Sequence, residues 1–222
     1  MSMRQLVLKL APRSEPTFDS FVTGENAELL TRLRGLAAGR LSESIVYVWG
    51  AEGSGRSHLL DATRIAAASP ARIVIVDDVD ALDQDAQIAL FNRINEVRES
   101  AALRASPGRA SGAGSENTAV LASGSAPPAQ LALRDDLKSR LAWGLVYQVR
   151  SLSDADKAAY LREAAARRGL PITDEIVAYL LSHVRRDLPT LVSILAHLDE
   201  YSLSRQRPIT LPLVRDALAE IE

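Results

Sequence analysis

The chain has 222 residues, 47% of them hydrophobic and 24% charged, and its formal net charge is −2. This composition is typical of a soluble globular protein with one domain or two small ones. It excludes a global cationic field for nucleic acid, so we expect no direct sequence-specific DNA binding. The chain contains no cysteine, which excludes disulfides and thiolate metal sites. Because it shows neither a signal-peptide core nor an apolar run near ~20 residues, we expect a cytoplasmic protein.

The first two thirds of the chain alternate between predicted strands and helices. Short apolar or β-branched runs predict strands at 5–10, 44–50, 71–78, 119–124 and 145–149. Amphipathic patterns predict helices at 25–38, 57–68, 83–104 and 135–144. Strands that alternate with helices in this way indicate an α/β fold with a parallel sheet covered on both faces.

From about residue 151 the pattern becomes entirely helical. Ser153 is a predicted helix cap, acids follow it in the first turn, and Gly169 ends that helix. Further helices are predicted at 173–186, 188–203 and 210–221. We therefore expect three parts: an extended tail at 1–12, an α/β domain at 13–150 and a helical domain at 151–222.

The segment "WGAEGSGRSHLL" (49–60), between a predicted strand and a predicted helix, resembles a phosphate-binding loop. Gly50, Gly55 and Ser57 match the pattern G-x-x-x-x-G-K-[ST], but Arg56 stands where lysine is usual. Arginine is always charged and binds phosphate bidentately, so we expect retained phosphate binding with altered catalysis. The alternative is a glycine-rich turn without a ligand. The residues predicted to hold a nucleotide are Gly50, Gly53, Ser54, Gly55, Arg56, Ser57, His58, Asp77 and Asp78.

The strand "IVIVDDVD" ends in two acids, which favours the nucleotide interpretation. Phosphate-loop NTPases hold Mg²⁺ through an acid at the end of a neighbouring strand, so Ser57 and Asp77 are the predicted Mg²⁺ ligands. Asp78 is a second carboxylate that could orient water. A hydrolase built on Ser57 and His58 is disfavoured, because the chain has no G-x-S-x-G elbow and the two residues are neighbours on one helix.

A phosphate-loop α/β domain followed by a small helical domain resembles the AAA+ ATPases. "FDSFVTGENAELL" resembles the N-terminal segment that frames adenine in the DnaA-type initiators. The Hda regulatory inactivators of DnaA are similar over "WGAEGSGRSHLL", "SAPPAQL", "DDLKSRLAWG", "RSLSDADK", "RRDLPTLVSILAHLDEYSL" and "RPITLPLVRDAL". This resemblance to the DnaA-like AAA+ family implies an AAA+ parallel sheet with a C-terminal helical lid. One edge strand is expected to be missing, because 57–73 has room for little more than one helix.

The N-terminal "QLVLKL" resembles the peptide with which members of this family bind the bacterial sliding clamp. An extended peptide of this kind places alternate apolar side chains in a groove while a glutamine amide sets the register. The resemblance makes Gln5, Leu6, Leu8 and Leu10 the predicted clamp contacts. The alternative is an ordinary edge strand or a frayed tail.

Arg140, in "KSRL", matches the position of the family's arginine finger. Such a finger stabilises transition-state charge in a neighbouring subunit's nucleotide site. The alternative for Arg140 is a surface ion pair with Asp135 or Asp136 on the same short helix. A homodimer that pairs finger to site is compatible with this architecture, although no residue pattern indicates one.

Three further departures from the family concern the γ-phosphate. Arg56 replaces lysine, Ser125 stands where a sensor aspartate is frequent, and Pro189 stands where the lid usually has a sensor arginine, with Arg185 and Arg186 one turn earlier. These changes favour bound ADP, or ATP without efficient turnover, with or without Mg²⁺.

The resemblance then implies a regulator that docks on the sliding clamp and stimulates ATP hydrolysis by DnaA, which prevents re-initiation. An autonomous AAA+ ATPase of clamp-loader or remodelling type and a nucleotide-free docking adaptor are the alternatives.

Overall fold

The structure is a computed structural model that describes residues 15–105, 118–184 and 187–220. It divides into one compact unit at Pro16–Ser151 and a second that contains the chain from Leu152 onwards. The predicted strand at 5–10 and nearly all of the segment at 105–118, which is longer than the family pattern leads us to expect, lie outside the described residues.

The first unit alternates helices and strands as the sequence predicts. Its elements are α1 (Ala27–Ala37), β1 (Ile45–Trp49), α2 (Arg56–Ala66), β2 (Ile73–Val76), α3 (Gln84–Ala105), β3 (Ala119–Gly124), α4 (Asp135–Leu141) and β4 (Leu145–Gln148). Short 3-10 turns occupy Pro70–Arg72, Val79–Ala81 and Pro128–Gln130. The strands form one parallel sheet in the order β2-β3-β1-β4, which confirms the predicted α/β class.

Side-chain alternation along β1 builds a separate core on each face of this sheet. Val46 and Val48 pack with apolar side chains of α1 and α2, and Ile45 and Tyr47 pack with those of α3 and α4. All four are buried because β1 lies inside the sheet with helices over both faces. Because all four strands are parallel, their carboxyl ends lie at the same end of the sheet.

The outer side of β2 carries no further strand in the part of the chain that the structure describes. Residues 67–72, which end in the turn Pro70–Arg72, connect α2 to β2, and all four residues of β2 are half-buried. Between α2 and β2 the described chain therefore has no further strand, as expected from the length of 57–73.

Tyr47 fixes the connection that leads from β3 towards α4. Its side chain is fully buried, and its hydroxyl donates a hydrogen bond of 2.8 Å to the carbonyl oxygen of Ala126. Gly124 makes room for this hydroxyl, since a Cβ there would lie 2.1 Å from the Tyr47 oxygen. Burial, together with the negative charge of Asp80, raises the pKa of Tyr47 well above its usual value.

The loop between β1 and α2 depends on a left-handed glycine. Gly55 caps α2 with φ of 100°, a region that side chains rarely adopt. A Cβ at this position would lie 2.7 Å from Cε2 of Phe21. The loop and the segment that precedes α1 are therefore in close contact.

The second unit is an independent helical core. Its helices are α5 (Asp154–Arg167), α6 (Asp174–His183), α7 (Leu188–Arg205) and α8 (Leu211–Ala219). Ser153 caps α5, as the sequence predicts, and forms a capping box with Asp156. Gly169 follows α5 with φ of 70°. Leu161, Leu180 and Leu191 are among its fully buried residues.

The raised pKa of Tyr47 predicts a loss of stability in alkaline solution. The folded protein keeps the phenol proton above pH 10, the ordinary pKa of tyrosine, whereas the unfolded chain releases it. The free energy of unfolding should therefore be unaffected by this group below pH ~10 and fall by up to ~1.4 kcal/mol per pH unit above it. Tyr47→Phe should lower stability by about 1 kcal/mol at pH 7, because a hydrogen bond is lost, and should make the alkaline decline shallower.

Urea unfolding of both proteins from pH 7 to 11 measures this difference. Equal slopes for wild type and Tyr47→Phe above pH ~10 would contradict the assignment of that decline to Tyr47.

Gly55→Ala tests the loop between β1 and α2, and Gly39→Ala, after α1, is its control. Both positions have positive φ, of 100° and 67°, but nothing lies within 4 Å of a Cβ at Gly39. Each change should lose about 1 kcal/mol from backbone strain, and Gly55→Ala should lose about 1–3 kcal/mol more because Phe21 must move. Equal losses in urea unfolding would show that the contact with Phe21 is unimportant.

Candidate functional site

The loop after β1 is closed tightly around its glycines. A Cβ at Gly50 would lie 2.6 Å from the carbonyl oxygen of Val149 and 2.8 Å from Oγ of Ser54. Gly53 and Gly55 both have positive φ, the backbone geometry from which anion-binding loops are built. The N–H of Ser54, between them, donates to the carbonyl oxygen of Ala51 at 3.1 Å. Ser54 is buried, and its hydroxyl has no hydrogen-bond partner. The loop therefore contains a buried hydroxyl group that forms no hydrogen bond within the protein.

Arg56, the first residue of α2, reaches the acids that follow β2. Its Nη1 lies 3.1 Å from Oδ1 of Asp78, and its side chain is 12% exposed. This nitrogen is buried and makes no aligned hydrogen bond, so the contact is an ion pair whose N–H groups are not committed. Buried polar atoms are rarely left without hydrogen-bond partners. Three such side-chain atoms occur among the described residues: one is Nε2 of His197 in the second unit, and the other two, on Ser54 and Arg56, belong to this loop. These two atoms indicate that the loop accommodates an anion.

The two acids after β2 have different surroundings. Ser123 of β3 donates a hydrogen bond from its hydroxyl to the carboxylate of Asp77, and the backbone N–H of Asp78 donates to Oγ of Ser123 and to Oδ1 of Asp77, each at 3.0 Å. Asp78 itself is left-handed, with φ of 46°, and faces Arg56. Asp77 is thus oriented by neutral donors and Asp78 by a cation.

Ser123 was not predicted as a site residue. It is fully buried in a strand whose other residues are alanine, valine, leucine and glycine. A single hydroxyl in such a strand is the signal that could have identified it, because a buried hydroxyl needs a partner.

The Mg²⁺ site predicted at Ser57 and Asp77 has few ligands. Within the described ranges, no group of three or more carboxylate or histidine side chains could hold a metal ion. Ser57 is exposed, and one oxygen of Asp77 is engaged by Ser123. A hydroxyl and a carboxylate suit Mg²⁺, which usually keeps several waters, so the residues fit a weakly held ion and the assignment stays a prediction.

His58 lies beside the segment that precedes α1. Its Nε2 lies 2.9 Å from the carbonyl oxygen of Thr17, which requires a proton on Nε2, and its ring is tilted against Phe21 at 5.5 Å. Further along, the side-chain amide of Asn26 exchanges hydrogen bonds of 2.8 and 2.9 Å with the backbone of Arg150. These contacts hold residues 17–26 next to the loop that the sequence assigns to phosphate.

Arg140 lies elsewhere in the first unit, on α4. Its Nε donates a hydrogen bond of 2.8 Å to Oδ1 of Asn95, and its Cζ lies 3.6 Å from the centroid of the Trp143 indole. The acids that the sequence offered as ion-pair partners are engaged elsewhere, Asp135 with Lys138 at 2.7 Å and Asp136 with Arg134 at 2.6 Å.

The remaining predicted positions are distributed as follows. Ser125 donates its backbone N–H to Oδ2 of Asp80 at 2.7 Å, and Pro189 occupies the first turn of α7, which is capped by Asp187. Arg185, Arg186 and the predicted clamp contacts Gln5, Leu6, Leu8 and Leu10 lie outside the described residues. Among the helices that the structure describes, none combines the length and apolarity needed to span a membrane.

Two kinds of comparison relate this chain to known proteins. Residues 154–218 match the model of the lid domain of the Hda family. The fold is similar to domain III of DnaA from Thermotoga maritima, with a TM-score of 0.70 and 17% identity over 96% of this chain and 98% of that one. It is also similar to AMPPCP-bound DnaA from Aquifex aeolicus, with a TM-score of 0.64 and 18% identity over 90% of this chain and 69% of that one.

The AAA+ architecture extends to a more distant protein. The branch migration motor RuvB from Thermotoga maritima is similar at a TM-score of 0.65 and 13% identity, over 93% of this chain and 72% of that one. At such identities these likenesses show the fold, and the lid match adds the family of the second unit. Residues 154–218 are therefore similar to the Hda lid domain, and the chain as a whole has the fold of DnaA domain III.

Proposed function

We propose that this chain is a DnaA-related regulator of replication initiation, which holds ADP, docks on the sliding clamp and presents Arg140 to ATP bound by a DnaA initiator. The observation that carries this proposal is the state of Arg140. Arg140 is half-buried and lies outside the phosphate loop of this chain. It is held by the amide of Asn95 and the indole of Trp143, and no carboxylate among the described residues lies within ion-pair distance of it. Its charge is free to meet an external anion.

The phosphate loop supports the nucleotide part of the proposal. Gly53 and Gly55 have the positive φ of an anion-binding loop, and Ser54 and Arg56 each contribute a buried group without a hydrogen-bond partner. The N-terminus of α2 adds a partial positive charge. DnaA proteins of the same fold bind the ATP analogue AMPPCP. A bound ADP would supply negative phosphoryl groups to this cradle, and residues 17–26 would cover its base.

The same residues disfavour ATP hydrolysis by the chain itself. Asp78, the acid that could orient a water molecule, faces the Arg56 cation at 3.1 Å. A carboxylate that already contacts a guanidinium group is less available to hold a water molecule. Pro189 has no side-chain donor for a phosphate. The chain therefore acts as an activator, and the chemical step takes place in its partner.

Docking on the clamp rests on the sequence alone, because Gln5, Leu6, Leu8 and Leu10 lie outside the described residues. The alternating apolar pattern with a glutamine suits an extended peptide in a groove. Loading on the clamp would concentrate this chain near initiator molecules at replicating DNA. A homodimer that covers Arg140 is a further expectation of the AAA+ architecture.

The contact between Arg56 and Asp78 makes a directional prediction for ADP binding. Arg56→Ala should weaken ADP binding by about 10- to 100-fold, because a charged hydrogen-bond donor to phosphate is lost. Asp78→Asn should strengthen it several-fold, because a carboxylate no longer competes with phosphate for Arg56. Isothermal titration with and without Mg²⁺ measures both changes and whether the ion is required.

Asp61→Asn is the matched control for Asp78→Asn. Asp61 lies on α2 and is paired with Arg64, so its removal changes the net charge equally without touching the loop. It should leave ADP affinity within about twofold. If Asp78→Asn and Asp61→Asn behave alike, Asp78 does not compete for Arg56. If no protein binds ADP, the nucleotide-free adaptor is the better description.

The central prediction concerns ATP hydrolysis by a DnaA initiator mixed with DNA-loaded clamp and this chain. Wild type should stimulate hydrolysis, and Arg140→Ala should lose about 10³-fold or more of the stimulated rate, as expected for an arginine finger. Deletion of residues 1–10 should remove the dependence on clamp while leaving the fold intact.

Arg134→Ala is the control for Arg140→Ala, because it removes a cation from the N-terminus of the same helix that is already paired with Asp136. Equal stimulation by wild type and Arg140→Ala would exclude the finger role. Steady ATP turnover by the isolated chain, abolished by Asp78→Asn, would instead identify an autonomous ATPase.

A further inference from the structure

Trp143 carries a second arginine besides Arg140. Cζ of Arg98, on α3, lies 3.8 Å from the indole centroid, and Cζ of Arg140 lies 3.6 Å from the same point. Two guanidinium groups this close to one centroid would collide on a single face. The indole is therefore sandwiched, with one arginine on each side.

The sandwich is held from both of its flanks. Arg140 also donates to Asn95 at 2.8 Å and lies 5.2 Å from the ring centroid of Phe91. Trp143 follows the end of α4, and the next residue must be glycine, since a Cβ at Gly144 would lie 2.0 Å from the carbonyl oxygen of Ile45. The backbone directly after Trp143 is therefore packed against β1, which positions the residue that carries the indole.

No carboxylate balances these two cations within ion-pair distance in the described part of the chain. Glu96 is paired with Arg93 at 3.0 Å and Asp136 with Arg134 at 2.6 Å. Glu99, next to Arg98 in the chain, forms no ion pair with either of the two arginines. Arg98 is exposed, and Trp143 is 41% exposed. An indole attracts a cation over either face but supplies no counter-charge, so the two like charges remain uncompensated.

We propose that Arg98 and Arg140 form a two-pronged clamp for the polyphosphate of a partner-bound nucleotide, with Trp143 and Asn95 as the residues that position them. This inference rests on the proposed function of Arg140. Guanidinium groups on opposite faces of one ring lie no further apart than two stacking distances. Oxygens on neighbouring phosphoryl groups can bridge such a gap, and each would accept a charge-assisted hydrogen bond.

Preorganisation explains why an aromatic support suits this task. A free arginine side chain loses rotamer freedom when it inserts into a partner, whereas a stacked one is already extended. An ion pair with a carboxylate would also fix the side chain, but it would have to be broken before phosphate could bind. The indole and the amide of Asn95 hold the guanidinium groups without competing for their charge.

The test measures ATP hydrolysis by the initiator in the presence of DNA-loaded clamp, as a function of the concentration of this chain. It gives two quantities, the maximal rate of hydrolysis and the concentration of this chain at which the rate is half maximal. Arg98→Ala should lower the maximal rate about 10- to 100-fold, as the loss of a charged hydrogen bond predicts, without changing the half-saturating concentration. Arg93→Ala is the matched control, since it removes a paired cation from the same helix.

Trp143 has its own pair of variants. Trp143→Ala should lower the maximal rate at least as much as Arg98→Ala, and Trp143→Phe should restore most of it because a ring face is retained. In the Trp143→Ala background, Arg98→Ala should have little further effect, since the clamp is already lost. Melting temperatures of all variants separate this from unfolding, and Asn95→Leu provides a second test if Trp143→Ala does not fold.

The outcomes distinguish this inference from the proposed function. If Arg140→Ala abolishes stimulation while Arg98→Ala matches Arg93→Ala, the finger stands and the clamp is wrong. If Arg98→Ala changes only the half-saturating concentration, Arg98 is a docking contact and the clamp is again wrong. If Arg140→Ala stimulates like wild type, both the clamp and the proposed function fall.

Discussion

The parallel direction of all four strands is the constraint on which the candidate site depends. It brings the carboxyl ends of β1, β2 and β3 to one edge of the sheet, so that the loop at 50–55, the acids Asp77 and Asp78 and the hydroxyl of Ser123 become neighbours. A parallel sheet must be covered by helices on both faces. One of these helices, α2, begins directly after the loop and places its N-terminus beside it. Neither the loop nor the acids would form a site without the others.

The same sheet separates two arginines that have opposite environments. Arg56 is 12% exposed and paired with Asp78, which directs its charge inward to the chain's own site. Arg140 is held by Asn95 and Trp143 and has no carboxylate within ion-pair distance among the described residues, so no acid balances its charge. In the proposed function, Arg56 would retain a ligand in the chain's own loop, and Arg140 would act on a partner.

Much of the fold follows from local patterns in the sequence. The strand at Ala119–Gly124, the helix cap at Ser153 and the single helix between the loop and the acids were all predicted, because each depends on residues close together in the chain. The contacts that give the site its character were not predicted. Ser123 meets Asp77 across 46 positions, and Arg140 meets Asn95 across 45. The expected alternative for Arg140, a pair with Asp135 or Asp136, is local and does not form, because closer cations take those acids.

The sequence by itself determined the class of the fold, the phosphate loop with its arginine and the helical lid, since periodicity and turn residues act over a few positions. Only the tertiary structure decided which charge meets which partner. Ion pairs and stacking depend on distances of a few ångströms between residues that the chain separates widely. For this reason phosphate binding by Arg56 could be predicted from its motif, but its contact with Asp78 could not. The sandwich of Trp143 between Arg98 and Arg140 likewise required α3 and α4 to be packed side by side.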